Sequence, residues 1–162
     1  MKTLIVYYTW HNGNTKRIAE MIQKKTGADI CAIETVTPYP EEYRKASDQG
    51  KRETETGFEP EIKKLPYDVK DYERIIVGTP TWWYTMAPAV RTFLDQNDWT
   101  GKTVVPFMTN AGWPGTVIHD MMDLCSGAMI SNPMEILFDS EGGPVLKTEE
   151  SVLNKWIEKL TK

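Results

Sequence analysis

Three short segments of this chain carry residue types that a folded core does not need. The first, Thr9-Trp10-His11-Asn12-Gly13-Asn14-Thr15, packs hydroxyls, amides and a glycine into seven positions. Placed before a helix, such a stretch presents backbone N–H groups, side-chain donors and the positive end of a helix dipole, which together suit an anion. A terminal phosphate, with about −1.5 to −2 charges near neutral pH, is the fitting partner. The plainer alternative is an ordinary polar turn with Asn14 as helix cap. The second segment, Gly78-Thr79-Pro80-Thr81-Trp82-Trp83-Tyr84-Thr85-Met86-Ala87-Pro88, sets three large aromatics in a row. In a loop they would expose apolar surface unless something covered it, and a flat conjugated ring covers it well. Otherwise they fold back as core. The third, Thr109-Asn110-Ala111-Gly112-Trp113-Pro114-Gly115, adds another tryptophan between glycines that let backbone approach a ligand. Read plainly, it is a Gly-Pro turn opening a helix.

Other chemistries find no support. The first segment contains neither G-x-x-x-x-G-K-[ST] nor G-x-G-x-x-G, so neither a nucleoside triphosphatase nor a dinucleotide site is supported. A phospho-acceptor domain would need acidic residues where Thr9 stands. Neither Cys31 nor Cys125 opens a Cys-x5-Arg phosphatase loop. The two cysteines lie far apart among apolar neighbours and read as buried thiols, which fits a reducing cytoplasm. His11 and His119 are the only histidines and lack clustered acidic or thiol partners, so no metal site is expected. His11 faces either the phosphate or solvent. Met121 and Met122 read as core or rim packing.

The elements that must hold these segments follow from two periods. Short β-branched runs occur at Leu4–Tyr8, Ile30–Ile33, Ile75–Val77 and Val104–Met108, with a weaker one at Glu135–Phe138 after Asn132-Pro133. Near-continuous apolar strands are what a parallel sheet covered on both faces requires. Helical stripes lie between them: Ile18, Met21, Ile22 and Lys25; Val90, Phe93 and Leu94; Val117, Ile118, Met121 and Met122. The cleanest is Val152, Leu153, Trp156, Ile157 and Leu160, with Thr148 or Ser151 as its start. Strand and helix alternating about five times predict a doubly wound α/β fold with right-handed crossovers, one domain over residues 1–162. Ligands of such sheets sit beyond the carboxyl ends of the strands, where all three segments fall. The stretch from about Val36 to Lys70, rich in charge and proline, reads as a long excursion with a short helix near Glu41–Lys51. Its Glu41–Pro66 part is expected to be mobile and to border the ligand.

Taken together, the three segments resemble the flavodoxin family. Asn12-Gly13-Asn14-Thr15 is similar to the end of that family's Ser/Thr-x-Thr-Gly-x-Thr phosphate loop, here one residue longer. Gly78-Thr79-Pro80-Thr81-Trp82-Trp83, followed by Ala87-Pro88-Ala89-Val90-Arg91-Thr92-Phe93-Leu94, resembles the flavin-stacking loop and helix of a bacterial subfamily. Tyr39-Pro40-Glu41-Glu42-Tyr43, Trp99, Gly101-Lys102 and Pro106-Phe107 continue the likeness over nearly the whole chain. Trp113-Pro114 departs from it, where relatives often carry more glycine. The resemblance implies three layers, a sheet of about five strands in the order 2-1-3-4-5, and FMN as cofactor. The implied FMN contacts are Thr9, Trp10, His11, Asn12, Gly13, Asn14 and Thr15, then Pro80, Thr81, Trp82, Trp83 and Tyr84. Thr109, Asn110, Ala111, Gly112, Trp113 and Gly115 complete them, with Trp82, Trp83 or Trp113 stacking on the ring.

The balance of the chain narrows the partners. A net charge of −4 with both signs interspersed offers no basic footprint for nucleic acid. No apolar run reaches the roughly 18–20 residues of a membrane-spanning helix, and the start Met1-Lys2-Thr3-Leu4-Ile5-Val6 reads as a first strand rather than a signal peptide. A cytoplasmic monomer or homodimer is expected. No Lys or Arg lies within the second or third segment, so negative charge on a reduced flavin beside the aromatics would be uncompensated and its potential pushed down. The resemblance therefore implies low-potential electron transfer to redox protein partners. A small FMN-dependent oxidoreductase passing electrons from NAD(P)H to a quinone-type acceptor is the alternative, and a flavin-free interaction module a lesser one.

Overall fold

The computed structural model describes residues 1–10 and 12–162, which leaves the candidate contact His11 outside the described residues. The first half of the chain forms β1 (Thr3–Tyr7), α1 (Asn14–Thr26), β2 (Asp29–Ala32), α2 (Tyr43–Thr56) and β3 (Arg74–Trp82). Then follow β4 (Thr85–Met86), α3 (Pro88–Asp95), β5 (Thr103–Asn110), α4 (Val117–Asp123), β6 (Met129–Ile130), β7 (Met134–Leu137) and α5 (Glu150–Lys159).

The sheet runs β2-β1-β3-β5-β6, and all of these neighbours are parallel. β7 also pairs with β5, so β6 and β7 share the fifth position. Between them sit Ser131, Asn132 and Pro133, with Asn132 at φ 46°. Proline cannot donate to a ladder, so the fifth strand is broken there.

Alternation along each strand builds two cores. Leu4 and Val6 face Val90, Phe93 and Leu94 of α3 and Val117 and Met121 of α4, and Ala46 of α2 joins this layer. Ile5 and Tyr7 face Ile18 and Ile22 of α1 and Leu153, Trp156 and Ile157 of α5. All five residues of β1 are buried, as a strand covered on both faces must be. This is the doubly wound α/β arrangement that the sequence predicts. Among the described residues no helix is long and apolar enough to cross a membrane.

Several elements differ from expectation in extent. β3 continues to Trp82 and turns directly into β4, so the second segment is a hairpin and not an open loop. The helix expected near Glu41–Lys51 runs from Tyr43 to Thr56. Beyond it the chain returns along the segment after β2, where Thr35 and Ile62 form an antiparallel bridge. Met122 and Val152 are exposed, because each lies one position off the stripe its helix buries. α5 begins after Glu149, and the Thr148 hydroxyl accepts the Leu137 amide at 2.8 Å instead of capping the helix.

Candidate functional site

Beyond β1 the chain goes outward to β2 and then crosses back to β3, so strand order reverses beside β1. That is the place where open α/β sheets bind ligands. Here the carboxyl ends of β1, β3 and β5 surround a cavity of about 760 Å³, inside the roughly 300–1,000 Å³ of small-molecule sites.

One end of the cavity is polar. Gly13, at φ 74°, turns the chain into α1, whose first intrahelical bond is Arg17 N to Gly13 O at 2.9 Å. The amides of Thr15 and Lys16 therefore have no intrahelical acceptor. The Asn14 amide donates to Asn12 Oδ1 at 3.1 Å. The Thr15 hydroxyl lies 2.9 Å from that of Thr109, both residues being buried, and the Thr81 hydroxyl donates to Thr109 O at 3.0 Å. Hydroxyls from three different elements thus converge on one wall.

The loop after β7 closes this end. Asn12 Nδ2 donates to Gly142 O, Asn14 Nδ2 to Gly143 O at 3.0 Å, and Arg17 Nη1 to Pro144 O at 2.9 Å. Asp139 shapes the loop by accepting amides of Gly143 at 2.8 Å, Val145 at 3.0 Å and Glu141 at 3.1 Å. The Gly143 amide is the first cause that holds the Asp139 carboxyl below its usual range, helped by those of Val145 and Glu141. Phe138, Glu141, Gly142 and Gly143 line the cavity, and sequence reasoning missed all four.

The other end is aromatic. Trp82 meets Tyr39, Tyr8 and Trp10 edge-on, with ring centroids 4.9, 5.9 and 6.2 Å away. On another side it lies against Gly50 of α2, where a Cβ would come within 2.9 Å of its ring. The Tyr39 hydroxyl donates to Glu53 Oε1 at 2.5 Å. Burial first, then this bond and the Glu53 charge, raise the Tyr39 pKa; burial first, then the Glu53 charge, raise that of Tyr8.

Trp83 and Tyr84 form the tip of the hairpin between β3 and β4, with φ 49° and 68°. Two positive φ values match the right-handed twist of a two-residue hairpin, although such turns favour Asn and Gly. Trp83 stays at the cavity rim, 42% exposed. Its Nε1 donates to Ser47 O at 2.9 Å, and Lys51 Nζ lies 5.3 Å from its ring centroid. The expectation of no cation beside the aromatics thus holds within the two loops and fails once α2 is in place.

The flavodoxin family profile matches residues 2–160. The chain belongs to the flavodoxin family. Among similar solved structures, a candidate flavoprotein from Bacteroides eggerthii is 23% identical, covers 99% of this chain and 98% of its own, and superposes with a TM-score of 0.78. A flavoprotein in complex with FMN from Lactobacillus acidophilus is 25% identical over 96% of this chain and 97% of its own, at 0.71. A WrbA-like flavodoxin from Agrobacterium tumefaciens is 19% identical over 98% and 92%, at 0.62.

Against this family's pattern, the structure brings Thr9, Trp10, Asn12, Asn14, Thr15, Pro80, Thr81, Trp82, Trp83, Thr109, Asn110 and Ala111 onto the cavity. Gly13, Tyr84, Gly112, Trp113 and Gly115 are not on its wall. Gly115 makes its close approach elsewhere: at φ 54°, a Cβ on it would lie 2.1 Å from the Tyr84 carbonyl oxygen. It seats α4 against the hairpin, aided by Thr116 N donating to Tyr84 O at 2.9 Å. Tyr43, Ala46 and Ser47 of α2 also line the cavity and were missed. Both cysteines are free and buried, and burial pushes Cys31 up to about 11 and Cys125 to about 12. His119 does have acidic neighbours, Asp123 at 3.3 Å and Asp120 at 3.8 Å, on the exposed side of α4. Asp120 in turn accepts the hydroxyls of Thr85 at 2.6 Å and Thr116 at 2.7 Å, tying α4 to the hairpin.

Proposed function

We propose that this chain binds FMN in the cavity beside β1 and transfers electrons through it. The observation that carries the reading is that the open N-terminus of α1 and the Trp82–Trp83 wall face one cavity. A phosphate fits the first, since the Thr15 and Lys16 amides at this helix start have no intrahelical acceptor and the hydroxyls of Thr15 and Thr109 lie beside them. A flat ring fits the second, since Trp83 offers a partly exposed indole at the cavity rim. The FMN complex of the Lactobacillus acidophilus relative supports the same cofactor.

Bound FMN supplies the redox chemistry, while the protein sets orientation and electrostatics. Asn12 and Asn14 brace the phosphate end against the Gly142–Gly143 loop. Trp83 shields one part of the ring from water, and Trp82 fixes the direction of β3 beneath it. The low potential expected from the aromatic loops is opposed by Lys51 and reinforced by Glu141 on the cavity wall. The same reading treats residues 1–162 as one functional domain.

Visible absorption of the purified protein tests the proposal, followed by titration of apoprotein with FMN and with riboflavin. FMN should bind more tightly, since only it brings the phosphate. A colourless protein that cannot be reconstituted leaves the flavin-free module as the function. One observation favours a second reading: Tyr84 and Trp113 stand 58% and 66% exposed, a stacking surface for a planar small acceptor. Robust NAD(P)H oxidation by the holoprotein would select that oxidoreductase over the electron carrier.

A further inference from the structure

Ser47 and Lys51 lie one turn apart on the same side of α2, the spacing that makes helix neighbours. Both grip Trp83. The Ser47 carbonyl accepts the indole N–H at 2.9 Å, and Lys51 Nζ stands 5.3 Å from the ring centroid, inside the range of a cation–π contact. Gly50, in the same turn, gives Trp82 room to pack against α2. The backbone of Trp83 sits at φ 49°, a region that bulky L-residues avoid and keep only where surroundings hold them.

We propose that Lys51 is a positioning residue for Trp83, fixing the indole at the cavity rim and tuning the flavin through it. This rests on the reading that a flavin occupies the cavity. Lys51 is not on the cavity wall, so its mechanical effect passes through the indole it holds. Its charge acts in a second way: a cation near the ring favours the negative charge added on reduction and raises the potential. Neither effect distinguishes a flavin with phosphate from one without.

The test uses Lys51→Met, which keeps the aliphatic stem and removes the charge, with Lys51→Arg as the conservative rescue. Lys51 also lies 4.0 Å from Glu55 Oε1, so Glu55→Gln removes that pair while leaving the Trp83 contact. The first readout is solvent exchange of the Trp83 indole N–H in apoprotein by NMR, its signal identified by loss in Trp83→Phe. Lys51→Met should speed exchange and weaken FMN and riboflavin alike, each by roughly two- to five-fold, the factor of an exposed cation–π contact. The midpoint potential of the bound flavin should fall. Lys51→Arg should restore all three, and Glu55→Gln should leave them near wild type. Unchanged exchange in Lys51→Met overturns the proposal, and so does faster exchange with unchanged affinity and potential. If the wild-type protein takes up no flavin, the cofactor reading fails on its own, and unchanged exchange would still overturn the clamp.

Discussion

At the level of single residues, the cavity divides its work between a buried hydroxyl pair and two adjacent indoles. In the Thr15–Thr109 contact at 2.9 Å one hydroxyl donates to the other, so the pair keeps one O–H donor that can serve a phosphate without breaking the contact. Thr15→Val strands the Thr109 hydroxyl and should cost about 1 kcal/mol of stability, read by urea denaturation. It should also weaken FMN more than riboflavin in parallel titrations; equal losses would remove Thr15 from phosphate binding. Adjacent residues of an extended strand point to opposite sides, yet the hairpin separates the two tryptophans by backbone conformation instead. Trp82 ends β3 and packs against Tyr8, Tyr39 and Gly50, whereas Trp83 begins the turn. Trp82→Ala should therefore lower stability by about 3 kcal/mol, as large-to-small core changes do. Trp83→Ala should leave stability nearly unchanged while weakening flavin binding and reducing tryptophan quenching on FMN addition. The reverse assignment would show that Trp82 is the ring that meets the flavin.

Among elements, the strands and the buried faces of the helices were legible because apolar period decides them, whereas the strand order came from the family resemblance. Ile18 with Ile22 and Leu153 with Trp156 and Ile157 were read as buried stripes, and they are buried. The site was legible where a loop follows a strand directly, as at Thr9–Thr15. In α2 only the general placement was legible, as part of the Glu41–Pro66 stretch expected to border the ligand. The wall residues Tyr43, Ala46 and Ser47 were not, because a helix that buries only Ala46, Gly50 and Glu53 among exposed charges looks like solvated surface. Nor was the site legible in the loop after β7, whose contribution is carbonyl oxygens that side-chain chemistry does not announce. That loop depends on Asp139. Its folded pKa is held below the unfolded value of about 3.9, so its stabilisation is present above that pH and is lost as pH falls through the folded value. Asp139→Asn should thus lower stability and FMN affinity near pH 6. Denaturation midpoints of wild type and variant should converge in acid, below the folded pKa. A constant gap between the two down to the acid limit would show that the charge of Asp139 plays no part.

Across the whole molecule, stability is distributed unevenly around the cavity. β1, β3 and β5 run through the middle of the sheet with helices on both faces, and α3 buries six of its eight residues. α2 buries three of fourteen. Its ties among the described residues include Tyr39 to Glu53, Trp83 to Ser47 and Lys51, Trp10 to Tyr43, and the packing of Trp82 on Gly50. Local opening follows such differences, since an element with little buried surface opens at low free-energy cost. In apoprotein, amide hydrogen exchange read by mass spectrometry should be faster in Tyr43–Thr56 than in α1, α3 or α5. On the proposed reading FMN would meet Ala46 and Ser47 of the cavity wall and bind only the state in which α2 is docked, and so should slow exchange there by mass action. Riboflavin should give α2 protection too, at concentrations scaled to its weaker binding, while inorganic phosphate should protect only the start of α1. Helix α5, on the opposite face, should gain little from any of them. If α2 exchanges as slowly as α3 without flavin, or gains nothing from FMN, it is a fixed wall and the cavity is formed before the cofactor arrives.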